Sequence, residues 1–424
     1  MRVLFVSLAE KSHLYCQTPL AWALTAAGHE VRVASTPPLT ETTTRAGLTA
    51  VPVGRDSGIH EGMAAHRETQ DIPTANWSQT EHGDISWEEL SRRYRISVNY
   101  GISAYNDPMI DGLVEFARDW RPDLVIRDPL AYAGGIAARA CGAAHARLLW
   151  CADVWGRSRR TYLDMLPHAP EDERTDPMAE WLADRCAPFG VEHDEELVNG
   201  QFTLDTMPHS LRLPTHLNVL DMRYIPYNGR AVVTDWLREK PARPRVCLTL
   251  GASNTEDYGG DYVSVPDILT ALGDLDVEVV ATLAGAGADL LSALPDNARV
   301  VEGVALNTLL PSCSAIIHHG GFGSYATALS YGVPQLILST SVSDHELRGT
   351  GLRNAGAGEF AHWSKADASF VRDAVRRLVE EPSYGEAARA LQEEGARLAS
   401  PQRLVPELEE AVEAHRRRRS SAIV

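Results

Sequence analysis

The segment His318-His319-Gly320-Gly321-Phe322-Gly323-Ser324 holds the residues of this chain best suited to chemistry. It follows an apolar run, Ser314 to Ile317, that reads as a buried parallel strand. It precedes Tyr325 to Tyr331 at helical spacing, with Ser324 in an N-cap position, and Gly332 stops that helix. Pro334 then leads into a further strand, Gln335 to Leu338. Glycines let a ligand approach the backbone, and a helix N-terminus presents unpaired N–H groups at the positive end of a dipole. The chemistry on offer is anion binding, with His318 adding a donor or a charge. The same residues also make an ordinary strand–turn–helix, so the loop alone leaves both readings open.

Elements that position such a loop run through the whole chain. Val3 to Ala9 reads as a first strand, followed by a loop from Glu10 to Gln17. A helix follows, with Thr18 as N-cap, Pro19 at the first helical position and Gly28 at the end. Glu30 to Ala34 is the second strand, so the chain opens as a doubly wound α/β sheet. Residues 55–107 break the alternation: they are polar, carry Trp77 and Trp87, and regain helical spacing from Trp87 to Tyr100. Pro122-Asp123 and Pro244-Arg245 each announce a buried strand, and the second opens another sheet. With 424 residues, two domains of roughly 150–200 residues are expected. The boundaries predicted are a Rossmann-like domain over 1–220 with an insertion at 55–107, a linker over 221–240, and a second Rossmann-like domain over 241–400. A C-terminal helix returning to the first domain, and a basic tail at Arg416–Arg419, fill 401–424.

Composition narrows the function. A net charge of −17 argues against a nucleic-acid partner. Six cysteines without paired spacing read as reduced thiols of a cytoplasmic protein, and no run reaches the roughly 20 apolar residues of a membrane span. No metal site is expected. Asp274-Leu-Asp276 falls in a helix-to-strand turn, and the His318–His319 pair lacks carboxylate or Cys neighbours at ligand spacing. Gly285-Ala-Gly287 lacks the third glycine of a dinucleotide loop, since Leu290 stands there.

The glycine segment, the Gly332-Val-Pro-Gln335 turn and the later Asp344 together resemble the nucleotide-sugar site of family 1 glycosyltransferases. These enzymes have the GT-B fold, two doubly wound Rossmann-like domains facing across a crevice. The resemblance implies that His318, Gly321, Phe322, Gly323 and Ser324 hold the diphosphate and that Asp344 contacts the sugar. His345 follows Asp344 where the family usually has Gln, and the stretch Ser339–Ser343 is one residue longer. Gly251 and Ser253 resemble the second phosphate contact, and Val304 stands where the nucleotide base is received. The resemblance also places a general base six residues before the Pro of the first helix, which is His13. Asp128, at the end of the strand Leu124 to Ile126, is the carboxylate expected behind it, and it also suits a helix cap.

Further blocks narrow the likeness to actinobacterial deoxysugar transferases of macrolide and anthracycline biosynthesis. They are Pro19–Val31, Ala46–Gly54, Trp120–Val125, His145–Trp150 and Met222–Gly229. That narrower resemblance implies a dTDP-deoxysugar donor as co-substrate, no metal cofactor, and a hydrophobic polyketide acceptor. Trp77, Trp150 and Trp155 are expected either to wall the acceptor or to fill the core. A haem-less cytochrome-monooxygenase-like auxiliary protein is expected to dock near Trp87–Tyr105, and a homodimer is left open. The readings from other classes are a GT-B sugar-nucleotide epimerase and a non-catalytic sugar-nucleotide binder. The second of these would not need His13.

Overall fold

The structure, a computed structural model, describes residues 1–59, 76–81, 83–250, 264–283, 291–339 and 342–422. Short apolar runs build two all-parallel sheets. The first contains β1 (Arg2–Val6), β2 (Glu30–Ser35), β3 (Ala50–Pro52), β4 (Leu124–Arg127), β5 (Ala144–Leu148), β6 (Phe202–Asp205) and β7 (Val219–Asp221), in the order β3-β2-β1-β4-β5-β6-β7. The second contains β8 (Arg245–Thr249), β9 (Glu278–Thr282), β10 (Ala298–Val301), β11 (Ala315–His318), β12 (Gln335–Ser339) and β13 (Gly358–His362), in the order β10-β9-β8-β11-β12-β13. Every residue of β4, β5, β8, β11 and β12 is buried. Burial on both faces, where helices cover a parallel sheet, is why most of these strands read as mainly apolar runs rather than as alternating ones, β5 with His145 and Arg147 being the exception. Each order reverses once, between β1 and β4 and between β8 and β11, and ligands of such sheets bind at the carboxyl ends of the strands there.

Helix α1 (Lys11–Ala26) begins well before Thr18 and carries Pro19 inside it. The predicted loop from Glu10 to Gln17 is therefore mostly helix. The proline ring removes one amide donor from the helix, and the Thr18 hydroxyl before it bonds back to the Leu14 carbonyl at 2.9 Å. The shift puts His13 in the first turn of α1 instead of on a loop.

Within the insertion, α2 (Trp87–Ile96) is capped by Ser86, whose hydroxyl accepts from the Glu89 amide, and it runs on through a π-helical turn, Ser97–Ile102. Leu90, Tyr94, Val98 and Ile102 repeat every fourth residue and are buried in the first domain. Ahead of α2, the segment Asn76–Ser78 crosses to the second domain. The Trp77 amide donates to the Ser343 carbonyl at 3.0 Å, Asn76 donates to the Glu346 carboxylate at 3.0 Å, and the Leu347 amide donates to Ser78 Oγ at 3.2 Å.

α3 (Val154–Met165) starts at Asp153, which accepts from the Gly156 amide. In the second domain α4 (Phe322–Ser330) follows the glycine loop, and α5 (His345–Asn354) follows Asp344. The chain then returns: α6 (Pro401–Ala422) packs on α1 and β5 of the first domain through Leu404, Val405, Leu408 and Val412. The arginine run is helical, with all four side chains exposed. It forms the last turns of α6, where Arg416 pairs with Asp123 and Arg419 donates to the Gly142 carbonyl. Among the described residues no helix is long and apolar enough to cross a membrane.

Candidate active site

β1 and β4 are hydrogen-bonded neighbours at the switch point of the first sheet, and the residues after their ends meet there. His13 comes from the first turn of α1, and Asp128 follows β4 directly. His13 Nδ1 lies 2.7 Å from Asp128 Oδ2, with the imidazole 15% exposed and the carboxylate fully buried. Trp150 Nε1 donates to the same Oδ2 at 2.9 Å, and its ring stacks on the imidazole with centroids 4.0 Å apart. The Leu130 amide holds Oδ1 at 2.8 Å, so Asp128 caps the following turn as well as engaging His13. Burial alone would lower the His13 pKa; the charge and contact of Asp128, with Glu10 adding to them, outweigh it and leave the value raised. Asp128 fixes the ring through Nδ1 and leaves Nε2 to take a proton.

Two features near this pair escaped the sequence reading. Tyr105, from the end of the insertion, donates its phenol to Glu10 Oε1 at 2.8 Å, tying the insertion to the residue that precedes α1. Arg127 is fully buried and donates to the carbonyls of Asp128, Pro129, Leu197 and Val198, which braces the turn that carries Asp128.

Across the crevice, α1 and α4 share one apolar cluster, with Leu14, Cys16 and Leu20 on one side and Phe322, Tyr325 and Ala326 on the other. This packing brings the N-terminal turn of α4 up against the helix that carries His13. Ser324 is not the N-cap. Gly321 takes that position, and Phe322, Gly323 and Ser324 form the first turn. The anion seat thus keeps its open amides but gains no side-chain cap. Gly320 has φ +95°, a left-handed conformation that favours glycine, and a Cβ there would come within 3.3 Å of His345. At Gly321 a Cβ would lie 2.5 Å from His319 Nε2, so this glycine makes room for the His319 ring against the helix start.

His318 does not stand at the mouth of the loop. It is fully buried, its Nε2 lies 2.8 Å from Gln335 Oε1, and its Nδ1 accepts from the Gly320 amide at 3.1 Å. Burial, with His319 and Arg348 nearby, pushes its pKa down to about 3, so it adds no charge. The ring beside the helix start belongs to its neighbour. His319 is half-buried, its Nδ1 has no partner, and burial with Arg348 nearby lowers its pKa to about 4. His345 packs edge-on against it, with centroids 6.0 Å apart.

Asp344 is also placed differently from the expectation. Its carboxylate is fully buried and already engaged, accepting from Arg348 Nε at 2.6 Å, Arg348 Nη2 at 2.9 Å and the Ala152 amide of the first domain at 2.8 Å. It is not presented to a sugar hydroxyl. A signal for this pair was available, because Asp344 and Arg348 stand four apart at a helix start. Val304 is half-buried beside the cluster of Leu309, Leu310 and Val333. Gly251 and Ser253 lie outside the described residues, as does Gly285-Ala-Gly287.

Of the three tryptophans, Trp77 is core: it is 3% exposed and packs on Trp155 and Tyr94 at 4.7 and 5.6 Å. Trp155 is half-buried, and its indole nitrogen has no partner. Trp150 props the His13–Asp128 pair. Among the described residues no group of three or more His, Cys, Asp or Glu is arranged to hold a metal ion. Asp274 and Asp276 stay at the surface, near Arg372 and Arg243.

Comparison with known proteins converges on one family. The N-terminal domain of the erythromycin biosynthesis protein CIII-like family matches residues 22–251, and its C-terminal domain matches residues 266–411. The chain is 47% identical over 420 residues to 10-deoxymethynolide desosaminyltransferase of Streptomyces venezuelae, covering 98% of each. It is 43% identical over 436 residues to aclacinomycin-T 2-deoxy-L-fucose transferase of Streptomyces galilaeus, covering 99% of this chain and 98% of the other. The solved structure of the glycosyltransferase VinC in complex with dTDP superposes with a TM-score of 0.87 at 40% identity, over 98% of this chain and all of that one. The two doubly wound domains, the His–Asp pair and the glycine loop thus sit in a glycosyltransferase of the GT-B fold, and the chain belongs to the erythromycin biosynthesis protein CIII-like family.

Proposed function

We propose that this enzyme moves a deoxysugar from a dTDP-deoxysugar to a hydroxyl of a polyketide aglycone, with inversion, in the cytoplasm of an antibiotic producer. The observation that carries the reading is the His13–Asp128 pair, standing on a helix packed against the glycine-loop helix. A sugar-nucleotide binder without catalysis has no use for such a pair. In the reaction, the acceptor hydroxyl loses its proton to His13 Nε2 and its oxygen bonds to the anomeric carbon. The anomeric C–O bond breaks on the opposite face, and dTDP leaves with the electron pair. Asp128 stabilises the imidazolium that forms. The amides of Phe322, Gly323 and Ser324, with the His319 imidazole, meet the diphosphate. Incubating the enzyme with a dTDP-deoxysugar and a mixture of polyketide aglycones tests the reading. A mass gain of one deoxyhexose supports it; hydrolysis or isomerisation of the donor without a glycosylated product sinks it.

Metal independence belongs to the same proposal, because its diphosphate contacts are amides, a helix dipole and side-chain donors. Activity is expected to survive EDTA unchanged. A loss on chelation that magnesium restores would show a metal site on this chain.

We also propose an auxiliary protein docked on the outer face of the insertion. The support is Tyr100, 75% exposed on the π-helical turn, with the exposed Arg92 two turns earlier. Arg93 is no part of that face: it is buried and donates to Glu89, Gln79 and the Asn76 carbonyl. Tyr100→Glu is expected to abolish stimulation by the co-expressed partner while dTDP affinity holds. Equal stimulation of the variant and the parent enzyme would place docking elsewhere.

A further inference from the structure

A chain with a net charge of −17 that releases a nucleoside diphosphate must stabilise the leaving charge through local donors, and a cation among them would add most. None of the three histidines around the glycine loop supplies one, since burial holds His318, His319 and His345 neutral at ordinary pH. One guanidinium stands at the right place. The Arg348 Cζ lies 5.6 Å from the ring centre of Phe322 and 5.1 Å from that of Tyr325, which puts it over the first turn of α4. Arg348 is 3% exposed, and Asp344 takes its Nε and Nη2. Its third nitrogen, Nη1, is buried and has no partner.

Nη1 is not alone. The Tyr325 hydroxyl on α4, His319 Nδ1 just before it and His345 Nδ1 at the start of α5, its ring 6.0 Å from that of His319, are likewise buried polar atoms without a partner. Native interiors leave few such atoms, and a cluster of them marks a place completed by something else. A ligand rich in acceptor oxygens satisfies an unpaired guanidinium and a phenol together.

We infer that Arg348 is a donor-site residue whose Nη1 meets the diphosphate of the sugar nucleotide and carries the charge of the leaving group. The inference rests on the reading of the glycine loop as the diphosphate seat. Asp344 then acts on the sugar nucleotide through Arg348: it grips two of the three guanidinium nitrogens and aims the third. It also accepts the Ala152 amide, so the cation is held from both domains.

Binding to purified protein tests this, with dTDP titrated by calorimetry and thymidine by NMR. Arg348→Met is expected to weaken dTDP by about 10–100-fold, the scale of a lost hydrogen bond to a charged group, and to leave thymidine unchanged. Arg348→Lys keeps the charge without the fork and is expected to fall between. Because Arg348→Met strands a buried carboxylate, the double variant Asp344→Asn with Arg348→Met supplies a folded control, and it is expected to bind dTDP as weakly as the single one. Recovery of dTDP affinity to within twofold of the parent in the double variant, or an equal loss for thymidine, would show that the ion pair is structural and overturn the inference. Failure of the parent enzyme to bind dTDP at all would overturn the seat reading instead.

Discussion

Replacing His13 with Ala is expected to lower turnover by about two to four powers of ten, the contribution of a positioned general base, with dTDP affinity within twofold of the parent. The imidazole lies 2.7 Å from Asp128 and stacks on Trp150, while the diphosphate seat lies on another domain, so catalysis and donor binding should separate cleanly. The pH profile gives an independent reading. A base must be neutral in the free enzyme, and the His13 pKa is raised above its ordinary 6.5. The acid limb of kcat/KM is therefore expected above pH 6.5, with activity rising as the pH climbs through it. Asp128→Asn removes the raising charge and leaves the burial that lowers the value. The acid limb should then move to lower pH even as the plateau rate drops. Turnover of His13→Ala near that of the parent would remove His13 from the mechanism.

The largest expected loss of stability comes from Arg147→Met. Arg147 is buried in β5, donates Nη1 to Asp153 Oδ1 at 2.9 Å and Nη2 to Oδ2 at 2.5 Å, and holds Thr203 Oγ1 through Nε at 3.0 Å. Removing it strands the Asp153 carboxylate, whose side chain is 9% exposed, and such a break costs about 3–5 kcal/mol. Asp153 also caps α3, which carries Trp155 five residues after Trp150, so the damage should reach the crevice. Urea unfolding followed by tryptophan fluorescence is expected to show a lower midpoint. Replacing both partners, Arg147→Met with Asp153→Leu, is expected to recover much of the loss, because no buried charge is left alone. A single variant as stable as the parent would mean that the pair is solvated.

The alternation of strands and helices was legible because β1, β4, β8, β11 and β12 each hold a run of two or more consecutive apolar residues and their helices stop at or near glycines. Phe202–Asp205 and Val219–Asp221 were not, since strands of four and three residues next to polar loops carry no period. Pro19 was misleading. In sequence it marks a helix start, whereas in the fold it lies inside a helix that began two turns earlier. At the site, the glycine loop could be read from its residues, His13 came from the family resemblance, and Asp128 from its place at the end of a strand facing the crevice. The choice between His318 and His319 could not, because it depends on which ring Gln335 captures from the next strand. Asp344 was assigned to the sugar by the family resemblance, and the four-residue spacing to Arg348 gained its meaning once His345–Asn354 was known to be helical.

The chain crosses between its domains twice, outward through Met222–Gly229 and back between Leu398 and α6. Two covalent crossings act as an axle: they permit rocking and forbid wholesale separation. Among the described residues, the hydrogen bonds that such rocking would load include those of Asn76, Trp77 and Ser78 with residues 343–347, that of Ala152 with Asp344, and those of Ser210 with Glu394. The return helix also gives the last turns of the polypeptide a task in the first domain, through Arg416 and Arg419. A tag or fusion placed directly after them would load a helix docked on the first domain, not a loose end.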